Sequence, residues 1–174
     1  LYKGKLFVIE DSTSPFDVIL ASMHRHMQAH PDTAGIVFDY LQLAFSAAKA
    51  ESREQELSGM SRTLKKFADQ YDVAMFVLSQ LNRASELDGA TKKKGDGRPR
   101  LRHMRGSGAL EQDADDAILL HVNEVLREGE VRPDEVTLLA YHDKVRNGPT
   151  AVYHLTFNRP YQRVTAEPRM WSGT

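Results

Sequence analysis

The chain has 174 residues, 41% of them apolar, and its 23 Lys and Arg against 24 Asp and Glu leave a net charge of -1. That composition supports one domain with a sizeable core, and the charge balance argues against a protein that coats nucleic acid over its whole surface, so any polyanion site has to be a local patch. Cysteine is absent, which excludes disulfides and thiolate metal ligands and agrees with a cytoplasmic setting, and no apolar run approaches the roughly 18 residues expected of a membrane span.

The first expected element is a strand over Lys5 to Ile9 ("KLFVI"). After Glu10 and Asp11 comes "STSP", where Ser14 is placed to cap a helix whose first residue is Pro15. Phe16, Leu20, Met23 and Met27 fall on one helical face and carry that helix to about His30. Gly35 to Phe38 ("GIVF") is β-branched and aromatic without alternation, as expected of a parallel strand covered on both faces. It stops at Asp39, with Tyr40 and Gln42 close behind, and "AFSAAKAESRE" then has no period and reads as a loop. From Glu54 to Tyr71, Leu57, Met60, Leu64 and Phe67 recur at helical spacing, and Val73 to Leu78 ("VAMFVL") is a second continuous apolar run that ends in Ser79 and Gln80.

Residues 86–106 contain glycines, a proline and seven cations (Lys92, Lys93, Lys94, Arg98, Arg100, Arg102, Arg105) against Glu86, Asp88 and Asp96, and this irregular stretch reads as a mobile loop. A strand is expected over Ala117 to Val122, and two more, Glu135 to Tyr141 and Ala151 to Phe157, flank "HDKVRNGPT", in which Asn147-Gly148 is a turn signal. The whole is a β-α-β-α-β series followed by further strands, an α/β fold.

Residue chemistry alone leaves choices open. Asp39 ends an apolar strand, where open α/β sheets place their ligands, or it caps the next segment. The basic stretch is a polyanion site or a solvated face. His26 and His30 have the i, i+4 spacing of a metal pair, but no third ligand accompanies them and the polar side of the helix accounts for both.

Five segments together go further. "GIVFDYLQL", "REQELSGMSRTLKKFADQYDV", "LSQLNR", "RGSGALEQDAD" and "KVRNGPTAVYHLTFN" resemble, in order and spacing, the motor domain of DnaB-type replicative helicases over roughly residues 5 to 165. The resemblance implies a RecA-like P-loop ATPase core, with a mostly parallel sheet and a C-terminal hairpin. It also implies a homo-hexameric ring that uses ATP and Mg²⁺ to move along single-stranded DNA, with primase and a helicase loader as partners and no membrane attachment. Asp39 corresponds to the Walker B aspartate that helps hold Mg²⁺, Gln80 to the glutamine that senses the terminal phosphate, and Lys144 and Arg146 to residues that reach the nucleotide of the next subunit, the arginine as a finger. Arg105, Gly106, Ser107 and Gly108 correspond to the pore loop that grips the DNA backbone; Arg102 precedes it, and Lys49 and Arg53 are expected to line the same pore. Bacterial members commonly carry a glutamate where Gly106 stands.

No G-x-x-x-x-G-K-[ST] loop occurs in the sequence. The expectation is therefore that residues 1–174 are the carboxyl-terminal part of a motor domain, incomplete at the N-terminus, and that the isolated chain does not hydrolyse ATP. Two other readings are a different hexameric RecA-like ATPase, such as a recombinase or clock-type enzyme, and a non-hydrolysing ring-forming or single-strand-binding module.

Overall fold

The computed structural model describes residues 5–11, 13–47, 50–81, 98–104, 107–122 and 132–166. Packing divides the chain into two units, Leu1–Gln80 and Leu81–Thr174.

In the first unit, helix α1 (Phe16–Ala29) buries Phe16, Met23 and Met27 of its expected face and leaves Leu20 half-buried, and helix α2 (Arg53–Tyr71) buries Leu57, Met60, Leu64 and Phe67, the face expected from their spacing. Leu57 and Leu64 are each 1% exposed, and burial of such a side chain is worth about 1.5–3 kcal/mol. The two helices meet at aromatic contacts, with the His24 ring 4.8 Å from that of Phe67 and its Nδ1 2.8 Å from the Tyr71 hydroxyl. Ser52 caps α2 by accepting the Gln55 N–H, and Asp72 ends it in the left-handed conformation that aspartate tolerates.

Strands β1 (Gly35–Phe38) and β2 (Ala74–Val77) pair in parallel, Gly35 opposite Ala74 and Phe38 opposite Val77. Burial on both faces does not follow. The pairing puts Ile36, Phe38 and Met75 on a half-covered face, where the Phe38 ring lies 6.1 Å from that of Phe16, and leaves Val37 and Phe76, 65% and 60% exposed, on the other. An unbroken apolar run marks a strand but does not say how many of its faces are covered.

Two expectations at the amino end are corrected. Lys5 to Ile9 is not a strand: among the described residues no ladder pairs it, Leu6 and Val8 are 85% and 71% exposed, and Phe7 instead packs its ring on His26 and His30. A strand needs a partner edge, which composition cannot supply. Ser14 does not cap α1 either. Pro15 occupies the cap position and its carbonyl accepts from Val18 and Ile19, while the Asp11 carboxylate accepts the Thr13 and Ser14 N–H groups.

The second unit is antiparallel. Strands β3 (Asp116–Val122), β4 (Glu135–Val145), β5 (Ala151–Asn158) and β6 (Arg163–Ala166) lie in that order in one sheet. The mostly parallel sheet is thus corrected: among the described residues the parallel pairing is confined to β1 and β2, and the links from Val145 to Ala151 and from Asn158 to Arg163 are too short for the crossover that a parallel pair needs. A short helix α3 (Ser107–Asp113) precedes β3, and a 3-10 turn over Leu101–His103 gives the end of the basic stretch a packed element that irregular composition did not suggest, with His103 5% exposed. Among the described residues no helix is long and apolar enough to cross a membrane.

Candidate functional site

Asp39 follows β1 directly and Gln80 lies three residues beyond β2, and the chain holds their two ends together past the last residues of the strands. The Leu78 N–H donates to the Phe38 carbonyl and the Leu41 N–H to the Leu78 carbonyl, both at 3.0 Å. Beyond Leu78 the Gln42 side chain takes over: its Nε2 donates to Ser79 Oγ at 2.7 Å and its Oε1 accepts the Gln80 N–H at 3.0 Å. The Asp39 side chain is exposed, and no hydrogen bond or ion pair to another described residue engages its carboxylate. The capping alternative fails here, because the turn Leu41–Leu43 has Tyr40 at its cap position and no side-chain cap bond. A free carboxylate on such an edge suits Mg²⁺, a hard cation that takes one or two carboxylates and fills its remaining positions with water and phosphate oxygens.

Arg53 lies behind this edge. Its Nη2 donates to the carbonyls of Gln42 and Ala44 at 2.9 and 2.7 Å, and its Nη1 pairs with Glu56. A DNA phosphate would have to compete with those three acceptors. Glu56 in turn accepts the Ser46 N–H, so the loop after β1 is tied to the first turn of α2. Burial raises the Glu56 carboxyl, but the Ser46 N–H and the hydrogen bond and charge of Arg53 lower it by more, leaving it below the ordinary glutamate range. A carboxyl depressed in the folded state contributes stability that is complete above the unfolded-state value of about 4.3 and is lost as pH falls through the folded value. Glu56→Gln is therefore expected to be less stable than the parent at neutral pH, with the gap closing below about pH 4, as urea unfolding across that range would show.

In the second unit the hairpin differs from the expected one in a way that matters for Lys144. Strand β4 runs on to Val145, so Lys144 is a strand residue, and only Arg146 begins the Asn147-Gly148 turn. The β3–β4 register skips Asp143: Ala117 faces Lys144 and Ile118 faces His142. Such a bulge re-aims the side chains around it. Lys144 Nζ reaches the last carbonyls of α3, Glu111 at 2.5 Å and Gln112 at 3.4 Å, groups that a helix end leaves without internal partners. Arg146 pairs with Asp115 through its guanidinium, and its N–H donates to the Asp115 carbonyl at 3.0 Å; its side chain is still 57% exposed.

Of the expected pore residues, Arg102 and Gly108 are exposed, on the 3-10 turn and at the start of α3. Lys49, Arg105 and Gly106 lie outside the described residues, as do residues 82–97, and Ser107 is placed as the first residue of α3. Arg98 is drawn from the cationic surplus: it pairs with Asp143 and stacks 4.2 Å above the Tyr141 ring.

Comparison with known proteins decides the family. Residues 1–166 match the DnaB-like helicase C terminal domain. The chain belongs to that DnaB-like family. The replicative DNA helicase DnaB of Leifsonia xyli subsp. xyli is 36% identical over 155 residues, which cover 89% of this chain and 32% of the relative. A probable plasmid replicative DNA helicase of Chlamydia psittaci is 31% identical over 169 residues, covering 97% and 35%. The DnaB-like chain thus spans about a third of the length of these relatives. A solved DnaB-like replicative helicase, studied with its interactions with primase, superposes with a TM-score of 0.74 at 29% identity over 90% of this chain and 36% of its own. A second solved ATPase domain gives 0.71 at 30% identity, over 88% and 52%. The fold is accordingly that of the RecA-like DnaB ATPase domains.

Three residues that hold the expected ones in place escaped sequence reasoning: Gln42 in the first unit, and Asp115 and Asp143 in the second. Gln42 carried a signal, as the one polar residue of the "LQL" turn after the strand-ending aspartate. The two aspartates carried none, since nothing in an acidic residue's neighbours in sequence names the arginine it will meet.

Proposed function

We propose that this chain supplies the carboxyl-terminal part of the motor of an ATP-dependent replicative DNA helicase, which works as a homo-hexameric ring on single-stranded DNA and engages primase. The observation that supports it most is the shared edge of β1 and β2, which presents the exposed Asp39 carboxylate and fixes the main chain of Gln80 alongside.

In this reading Asp39 binds Mg²⁺, which supplies charge neutralisation at the transferring phosphate. The Gln80 carboxamide donates to the terminal phosphate or orients the attacking water, and its changed partner after hydrolysis is passed to the residues that follow it. Lys144 and Arg146 reach the nucleotide of the adjacent subunit. For Arg146 this exchanges one anionic partner, Asp115, for another, and an exposed ion pair costs only about 0–1 kcal/mol to give up. Arg102 and the segment Arg105 to Gly108 meet DNA phosphates, where small residues let main-chain N–H groups approach closely.

The test is strand displacement by the full-length protein on a duplex with a single-stranded 5′ tail. Unwinding should require ATP and Mg²⁺ and should vanish in Asp39→Ala. Unwinding that persists in that variant would remove Asp39 from the metal site.

A further inference from the structure

We propose that Gln42 is the positioning residue for Gln80. The inference deepens the reading of Gln80 as the group that meets the terminal phosphate, and rests on it. The backbone ladder between the two strand ends stops with the Leu41 N–H on the Leu78 carbonyl. Ser79 and Gln80 then continue past it with a side chain as their partner. The Gln42 carboxamide uses both its ends, donating to Ser79 Oγ and accepting from the Gln80 N–H, so it fixes two successive residues as one more rung of a sheet would. Its own main chain is anchored by Arg53, whose Nη2 binds the Gln42 carbonyl at 2.9 Å and is joined through Nη1 to Glu56 on α2. The order of support runs from helix to arginine to Gln42 to Gln80, over a sequence separation of 38 residues in the last step.

The amide does this job with one planar side chain that offers an acceptor to the Gln80 N–H and a donor to the Ser79 hydroxyl side by side; the acceptor is the indispensable end, because a hydroxyl can donate as well as accept whereas a main-chain N–H can only donate. The consequence is catalytic. Displacing a reacting group by about 1 Å costs on the order of 10²-fold in rate, whereas nucleotide affinity is set by the phosphate and base contacts as a whole. Gln42 therefore acts on turnover and leaves binding nearly unchanged.

The experiment uses the full-length protein as an assembled ring, with steady-state ATPase and binding of a non-hydrolysable ATP analogue as readouts. Gln42→Met preserves side-chain volume and removes the hydrogen bonds to Ser79 and Gln80; kcat should fall on the order of 10²-fold with analogue affinity within a few-fold of the parent. Gln42→Glu keeps an acceptor for the Gln80 N–H, and the Ser79 hydroxyl can turn to donate to it, so most of the activity should return. The double variant Gln42→Met/Gln80→Ala should be no slower than Gln80→Ala alone, because a residue that acts through another has nothing left to act on. Additive losses in the double variant, or a Gln42→Met ring with parental kcat beside an inactive Gln80→Ala ring, would overturn the proposal while leaving the sensor role of Gln80 standing. A Gln80→Ala ring with parental kcat would overturn the sensor role and this proposal with it. Should the methionine variant not assemble, Gln42→Asn, one methylene too short to reach both partners, decides the question by the same readouts.

Discussion

Arg146→Ala in the assembled ring is expected to lower ATP turnover by roughly 10³- to 10⁵-fold, the range an arginine supplied to a phosphoryl-transfer site contributes, while each mutant subunit still binds nucleotide. The loss arises because the guanidinium meets charge that develops on the phosphate as the bond breaks, so it stabilises the transition state more than the bound substrate. Arg146 stands at the start of the hairpin turn with 57% of its side chain exposed, a placement suited to reaching beyond its own subunit. Action across a subunit boundary has a distinct signature. Rings mixed from Arg146→Ala and Asp39→Ala subunits contain sites in which an intact Asp39 faces an intact Arg146, so partial recovery of hydrolysis should appear over a range of ratios. If no ratio recovers activity, the arginine serves its own subunit or serves structure.

Loss of DNA affinity in the Arg102→Ala/Arg105→Ala variant is the second large effect expected. Each cation on a phosphate releases condensed counterions, so binding of single strands by the full ring should weaken steeply with salt and depend little on sequence. The double substitution should reduce the magnitude of the log-log salt slope by on the order of 0.7 for each phosphate that is no longer neutralised, multiplied by the number of subunits that grip the strand. Lys92 to Lys94 lie further along the chain from the expected pore segment; if their part is to steer the strand, replacing them should slow association more than it flattens the slope. Arg98 is a useful comparison, because its charge already faces Asp143 and its plane lies over Tyr141: Arg98→Ala should leave the slope nearly unchanged. An unaltered slope and affinity in the Arg102/Arg105 variant would make the basic stretch a solvated face and favour a RecA-like ATPase that does not work on DNA.

What the sequence determined by itself was local. Residues three and four apart share a helix face and a run of β-branched and aromatic residues makes a strand, so α2 ends at Tyr71 as expected and begins one residue early, β1 matches its expected span, and the Asn147-Gly148 turn falls where it was read. The linked motifs also placed the chain among the DnaB-type motors, and Asp39 and Gln80 could be expected at one edge because Asp39 directly follows β1 and Gln80 lies three residues past β2, with which β1 pairs. Only the tertiary structure decided who meets whom. Gln42 joins Ser79 across 37 residues and Arg98 joins Asp143 across 45, and neither a period nor a composition encodes such a pair, since a carboxylate or an amide at the surface has many equivalent partners until the chain is folded. Burial followed the same division. Val37 and Phe76 look as apolar as Ile36 and Met75, yet the pairing of β1 with β2 sends the first two to an open face and the others to a half-covered one. Lys5 to Ile9 has the composition of a strand, but none of the described residues pairs with it in a ladder. Backbone hydrogen bonds between strands need a second edge, and a single segment cannot contain one.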